Sequence, residues 1–296
     1  VASGERECAD RYEAIREVLA TIQQPFTLLD LGAYTGYFAV RAASDFDCRV
    51  IAIDDNPRLP EISSSRITVI NRRVAAADLR RLPHVDVVLA LSVLHHLADW
   101  RSALADLMAR RCQIIAEVPH PDEDWMRRAA ARRELRAIHD ATHAAAAREL
   151  GVFERTSPKD GRIWRRPMLQ IQGHPAPVTG IVFSGSGNNA RSLRKYADDR
   201  LSAQLGYEPY PGSLNLRVDA LDLGEPHVRW ERKIGRNRRA YDAWRAWYGD
   251  VAGHVMIPTA KKQHQGTLEG WAPVNLRERL GVADGDQVTV EVEISG

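Results

Sequence analysis

The chain has 296 residues, 44% of them hydrophobic and 27% charged, with a formal net charge of +2. That length favours two cores over one, and the composition is that of a globular protein. No apolar run is long enough to span a bilayer, and the near-neutral balance gives no global electrostatic case for nucleic acid as a partner.

Three widely separated cysteines (Cys8, Cys48, Cys112) form neither a disulfide framework nor a metal-ligand spacing. Val1–Glu7 lacks the apolar stretch of a secretion signal, so a reducing cytoplasm is the expected setting.

In chain order, residues 9–21 place Tyr12, Ile15, Val18 and Leu19 at helical spacing. Short apolar runs follow at 26–31, 48–54, 67–71, 85–92 and 112–118, with helical or turn-rich segments such as 101–111 between them. Unbroken apolar strands of this kind belong to a parallel sheet covered on both faces by helices. An Ala/Arg/Glu-rich stretch predicts a long helix over 122–150, and alternating segments at 152–157 and 162–169 predict an antiparallel hairpin at the sheet edge. Gly173-His174-Pro175-Ala176-Pro177 reads as a linker. Beyond it lie short strands and turns, with one helical stretch near 189–205.

The first candidate site lies where the first strand meets the next helix, in Leu29-Asp30-Leu31-Gly32-Ala33-Tyr34-Thr35-Gly36. Gly32 and Gly36 permit a tight turn and a close ligand approach. Asp54 ends the second strand, where a carboxylate accepts from both ribose hydroxyls of an adenosine. Asp78 follows the third strand, within reach of an adenine amino group, and Leu91-Ser92-Val93-Leu94-His95-His96-Leu97 closes the fourth. A dinucleotide site is the main competitor, but its G-x-G-x-x-G spacing is absent because Tyr34 stands at the second position. On these residues, 1–172 resembles the class I S-adenosylmethionine (SAM) methyltransferases. The resemblance implies a Rossmann-like sheet and a SAM site at Asp30, Gly32, Tyr34, Gly36, Asp54, Asp78 and Ser92. His95 and His96 lie where a base on the acceptor side would sit. No Asn/Asp-Pro-Pro-Tyr segment follows the fourth strand, which argues against methylation of a nucleobase amino group.

The second half carries a glycine loop after a strand (Gly185-Ser186-Gly187-Asn188-Asn189-Ala190). It also carries a turn entering a strand, Tyr210-Pro211-Gly212-Ser213-Leu214-Asn215-Leu216. Ser213 and Asn215 are two residues apart and share a strand face, so both oxygens can ligate one hard cation such as Mg²⁺. Glu269 precedes Val274-Asn275-Leu276-Arg277, and Asp284-Gly285 is a hairpin signal. Loop, metal pair, carboxylate and arginine are the parts phosphoryl transfer uses.

Taken together, residues 177–293 resemble the archaeal-type CTP-dependent riboflavin kinases, which implies a small β-barrel. The resemblance implies nucleotide contacts from Gly185–Ala190 and Val274–Arg277, Mg²⁺ at Ser213 and Asn215, and the acceptor at Glu269. Asn188, Asn189 and Ala190 stand where the family has a Glu, a further Gly and an Arg. The family's flavin-side Thr is absent, with Thr259–His264 placing a lysine there. The basic, aromatic run 229–248 reads equally as an acceptor groove or as a solvated loop over a local core.

The expectation is therefore an α/β methyltransferase domain over 1–172 and a riboflavin-kinase-like barrel over 175–296. SAM, CTP and Mg²⁺ are the implied cofactors, and the acceptor is a hydroxylated small molecule or a glycan terminus. Enzymes that phosphorylate and methylate glycan ends supply the analogy for a shared acceptor. The alternatives are a riboflavin kinase fused to an independent methyltransferase, or a methyltransferase with a second domain that only binds. RNA modification has the basic run in its favour but no RNA-binding module.

Overall fold

A computed structural model describes residues 3–62, 64–79, 82–121, 123, 129–156, 161–185, 199–219, 222–234, 237–259 and 266–294. The chain divides into two compact units, Val1–His174 and Pro175–Gly296.

The first unit runs α1 (Ser3–Leu19), β1 (Phe26–Leu31), α2 (Tyr37–Asp45), β2 (Cys48–Asp54), β3 (Ile67–Asn71), α3 (Ala76–Leu79) and β4 (Val87–Leu91). It continues with α4 (Trp100–Met108), β5 (Gln113–Glu117), α5 (Ala129–Ala145), β6 (Ala146–Thr156) and β7 (Ile163–Gln172). Its sheet has the order β3-β2-β1-β4-β5-β7-β6. The first five strands are parallel, and β7 is antiparallel between β5 and β6. Successive strand residues point to opposite faces. Leu29, Leu31, Val88 and Ile114 accordingly join one core with Leu104, Leu107 and Ile138, while Leu28, Val50, Leu89 and Ile115 join another with Tyr12, Ile15 and Phe38. Burial on both faces is why these strands read as unbroken apolar runs. The strand order reverses between β1 and β4, and the carboxyl ends of strands at such a point form the ligand crevice of open α/β sheets.

Two expectations change here. The helix predicted over 122–150 is described only as Ala129–Ala145, and the chain enters β6 at Ala146. Pairing with β7 from Ala146↔Ile171 overrides the local helical preference, with register irregularities at Ala146/Arg148 and Glu149/Gly151. The predicted linker is shorter than 173–177, because Ala176 and Pro177 already pair with Val292 and Glu291.

The second unit runs β8 (Ala176–Phe183), α6 (Asp199–Leu205), β9 (Leu214–Arg217), β10 (Val228–Ile234), β11 (Asn237–Tyr248), β12 (Val251–Pro258), β13 (Thr267–Trp271), α7 (Leu276–Leu280) and β14 (Gln287–Val292). The order β11-β12-β13-β9-β8-β14 closes through β11–β14 pairing into a six-stranded antiparallel barrel, with β10 outside on β11. Val182, Leu216, Trp244, Val255 and Val290 fill the interior. A second cluster outside it joins Leu201 and Leu205 of α6 to Trp230, Tyr241 and Trp271. The basic, aromatic run is thus the β10–β11 hairpin. Trp230, Tyr241, Trp244, Trp247 and Tyr248 are all buried, so its aromatics are core and form no open groove.

Candidate active sites

In the first unit the turn after β1 takes its shape from three left-handed residues, Gly32 (φ 76°), Tyr34 (φ 53°) and Gly36 (φ 81°). A Cβ on Gly32 would stand 2.7 Å from Val93 Cγ2, so glycine is required by the neighbouring strand end as well as by its φ. The Asp54 carboxylate accepts from Tyr34 N at 2.9 Å through Oδ2 and from Asn56 N at 2.8 Å through Oδ1. With about four acceptor sites, that carboxylate pins the turn and retains capacity for ribose hydroxyls.

Asp30, two residues before Gly32, is 2% exposed, and its Oδ2 has no hydrogen-bond partner. Burial raises its pKa to about 7, against a backbone N–H from Ala39 that lowers it. An orphaned buried carboxylate oxygen beside a pinned glycine turn fits a ligand that carries an ammonium group, as SAM does. Asp78 lies in α3, and its side chain is outside the described residues.

A cavity of about 620 Å³ extends from Gly32, Tyr34 and Asp54 past Ser92, His95 and His96 to Arg155 and Arg166. Ser92 is a left-handed non-glycine residue (φ 55°) at the end of β4. Its backbone N–H donates to Glu117 O at 2.8 Å, its hydroxyl donates to Glu117 Oε1, and it accepts from Arg166 Nη1 at 2.8 Å. Arg166 grips Glu123 with Nε at 2.8 Å and Nη2 at 2.6 Å, and Arg11 meets the other Glu117 oxygen at 3.1 Å. Both glutamates are fully buried. The Ser92 hydroxyl is therefore committed to this network. His95 and His96 share a 3₁₀ turn with ring centroids 4.0 Å apart. Burial, His96 and Arg166 together push His95 down to about 3, and burial and two arginines lower His96. Both imidazoles are neutral near pH 7, and His95 is a weak proton acceptor.

In the barrel, β9 turns Leu214 and Leu216 inward and Asn215 outward. The registers place Asn215 opposite Glu269 on β13 and opposite Phe183 on β8. Directly opposed residues share a face, so Asn215 and Glu269 stand side by side. Ser213 Oγ donates to Asn215 Oδ1 at 3.3 Å, which brings two hard oxygens to one point. That donor set suits a cation that arrives with phosphates. Among the described residues no group of three or more His, Cys, Asp or Glu could hold a metal without such help.

A Cβ on Gly185 would stand 2.7 Å from Asn215 Nδ2, so the glycine loop begins against this amide. Ser186, Gly187, Asn188, Asn189 and Ala190 lie outside the described residues. Arg277 donates to Phe183 O at 2.8 Å and pairs with Asp284 at 2.7 Å, and Asp284 accepts from Ser184 N at 2.9 Å. The guanidinium thus fixes the loop entrance. Asn275 caps α7 through Arg277 N and Glu278 N, and Val274 is exposed. Leu276 was expected to touch nucleotide, but its side chain lies in the barrel core, leaving only its main chain for that role.

Arg11, Glu117, Glu123, Arg155 and Arg166 did not emerge from the sequence. Glu117 carried a signal, since an acid interrupts the apolar run 112–118 at the end of β5, as Asp54 ends β2.

Two family models match this chain. Residues 28–112 match one described as Methyltransferase domain, and 182–292 match one named for CTP-dependent riboflavin kinase and described as Domain of unknown function DUF120. A riboflavin kinase of Pyrococcus abyssi is 35% identical over 125 residues, 39% of this chain and 58% of that protein. A riboflavin kinase of Halobacterium salinarum is 29% identical over 217 residues, 67% of this chain and 84% of that protein. The chain thus spans little more than half of the Pyrococcus enzyme. Among solved structures, the bifunctional kinase-methyltransferase WbdD is similar at 21% identity and a TM-score of 0.40, over 58% of this chain and 39% of that one. The chain therefore joins a methyltransferase domain to a domain of the CTP-dependent riboflavin kinase type.

Proposed function

We propose that the chain is a bifunctional transferase. One unit moves a methyl group from SAM, and the other moves a phosphoryl group from CTP to a hydroxylated acceptor, a small metabolite or a glycan end. The observation that carries the reading is the pairing of two built sites, the Asp54-pinned turn and the Ser213–Asn215–Glu269 cluster, each inside its own family match.

For methyl transfer, bound SAM supplies an activated methyl on sulfur. Asp54 holds the ribose, Asp30 meets the ammonium, and the cavity wall from Ser92 to Arg166 aligns the acceptor for in-line attack. A hydroxyl acceptor would bond through oxygen to the methyl carbon as the sulfur–methyl bond breaks, its proton passing to the neutral His96 imidazole or to solvent, with S-adenosylhomocysteine as the leaving group.

For phosphoryl transfer, Mg²⁺ bound with the nucleotide supplies charge neutralisation at the phosphates. Ser213 and Asn215 offer it two oxygens. Glu269 takes the proton as the acceptor oxygen bonds to the γ-phosphorus, and CDP leaves. Arg277 and Asp284 keep the glycine loop against Asn215.

Riboflavin as the phosphate acceptor is the second reading, favoured by the names of the relatives above. Offering riboflavin beside a glycan and metabolite panel separates the two. No described helix is long and apolar enough to cross a membrane.

A further inference from the structure

Ser92 stands where β4 leaves the sheet, in a left-handed conformation (φ 55°) that a residue with a Cβ rarely adopts. The β1–β4 register, carried on from Asp30↔Leu89, sets Leu91 beside Gly32. A strand running straight on from Leu91 would carry Val93 about 6.6 Å past Gly32, at ~3.3 Å per residue. Instead Val93 lies against Gly32, so close that a Cβ there would stand 2.7 Å from Val93 Cγ2. Val93 is buried, and both residues line the cavity. The reversal at Ser92 therefore brings Val93 back onto the cofactor turn. It also keeps the chain out of the crevice beyond the strand ends, where open α/β sheets hold their ligand.

Three hydrogen bonds hold that reversal. Ser92 N donates to Glu117 O at 2.8 Å, the hydroxyl donates to Glu117 Oε1, and Arg166 Nη1 donates to the hydroxyl at 2.8 Å. Both partners are themselves fixed. Glu117 is fully buried at the end of β5, between β4 and β7, with its other oxygen on Arg11. Arg166 sits on β7 and grips Glu123. A backbone conformation of low intrinsic population persists where its surroundings over-determine it, and such positions gather at ligand sites. A serine hydroxyl has one proton, and here it goes to Glu117, so Ser92 has no side-chain donor left for a ligand.

We propose that Ser92 is a positioning residue for the methyl donor. Its hydroxyl, anchored by Glu117 and Arg166, holds a left-handed backbone that packs Val93 on Gly32 and shapes the cofactor end of the cavity. This rests on the methyl-transfer reading above. The side chain acts through Val93 and the Gly32 turn, without touching the cofactor. Glycine at this position supplies the same φ without the hydroxyl, whereas alanine has neither the anchor nor the conformational freedom. Cofactor affinity across these substitutions therefore follows backbone preference, and not the number of polar atoms in the side chain.

The test uses the full chain, with S-adenosylhomocysteine as the probe in calorimetry and thermal unfolding of each variant recorded beside it. Ser92→Gly binds within about three-fold of the wild type, because glycine keeps the left-handed turn. Ser92→Ala binds roughly ten-fold more weakly, since a residue with a Cβ must now hold that conformation without the hydroxyl bonds. Glycine thus restores binding that alanine loses, although both lack the hydroxyl. A role in stability alone would lower the melting temperature and leave both affinities at the wild-type value, which overturns the proposal. Equal losses in the two variants overturn it as well, because they mark a hydroxyl that touches the cofactor. Where Ser92→Ala does not fold, Ser92→Cys takes its place, with a similar shape and a weaker donor and acceptor. It too must bind more weakly than Ser92→Gly, and equal or tighter binding overturns the proposal. Each of these outcomes in a wild-type chain that binds S-adenosylhomocysteine bears on this inference alone. Absence of binding by the wild type overturns the methyl-transfer reading, and this inference with it.

Discussion

Asn215 and Glu269 face each other across the β9–β13 register, one amide and one carboxylate on the outer face of the barrel, with Ser213 Oγ 3.3 Å from the Asn215 oxygen. This relation divides the labour of phosphoryl transfer between adjacent strands. Asn215→Ala leaves the metal one oxygen short. Turnover with CTP and Mg²⁺ should be lost, while nucleotide binding measured without Mg²⁺ changes little. Full turnover in the variant would remove Asn215 from the metal site. Glu269→Gln keeps shape and loses the base, so kcat should fall roughly 10²–10⁴-fold.

Asp54 accepts two backbone N–H groups that fix the turn, and the proposed ribose contacts add to them. Asp54→Ala should therefore weaken S-adenosylhomocysteine by about 2–4 kcal/mol, read by calorimetry on a protein whose circular dichroism is unchanged. Asp54→Asn, which keeps one acceptor oxygen, should lose less.

Glu117 is fully buried between Arg11, Ser92 and Arg166. Glu117→Ala strands those cations, and breaking a buried pair from one side typically costs about 3–5 kcal/mol. Urea unfolding of the variant should show a loss of that order. A loss near that of an exposed pair, about 0–1 kcal/mol, would show that the network carries little of the stability.

Asp30 gives a pH signature. Its pKa in the folded protein, raised by burial to about 7 from an ordinary 3.8, means that the folded state holds a proton the unfolded state has already released. Stability contributed through Asp30 thus falls as pH rises from about 4 to 7 and is level above that. Asp30→Asn should flatten the curve in that window. A ligand ammonium meeting the carboxylate lowers its pKa, so SAM binding near pH 7 should release a proton. Calorimetry in buffers of different ionisation enthalpy reads this, and buffer-independent heats would place Asp30 away from the ligand.

Much of the fold was legible because both-face burial in β1–β5 leaves unbroken apolar runs, and glycine turns mark strand ends. Asp54 was legible for the same reason, as the first acid after such a run. Arg155 and Arg166 were not, because on an alternating hairpin an arginine turned to the cavity looks like Arg165 turned to solvent. Only the pairing of β7 with β5 places Arg166 beside Ser92 and Glu123. The hairpin expected at 152–157 and 162–169 is the outer part of β6 and β7, but the first half of β6 was hidden behind the helical composition of Ala146–Leu150, which only its partner strand overrides. Arg277 was expected at the nucleotide by family pattern, and its use in anchoring Phe183 and Asp284 is a tertiary relation that no local pattern carries.

The central claim is that one chain carries out both transfers, and mass spectrometry of a glycan and metabolite panel incubated with the full chain tests it most directly. The panel includes phosphate esters, carboxylates and riboflavin, and SAM, CTP and Mg²⁺ are supplied together and singly. The account predicts products that gain a phosphoryl group only when CTP and Mg²⁺ are present and Asn215 is intact, and a methyl group only when SAM is present and Asp54 is intact. S-adenosylhomocysteine and CDP should accumulate in step with them. Products of one kind alone, with the other nucleotide bound but never consumed, would contradict a bifunctional transferase and leave one unit as a binding module.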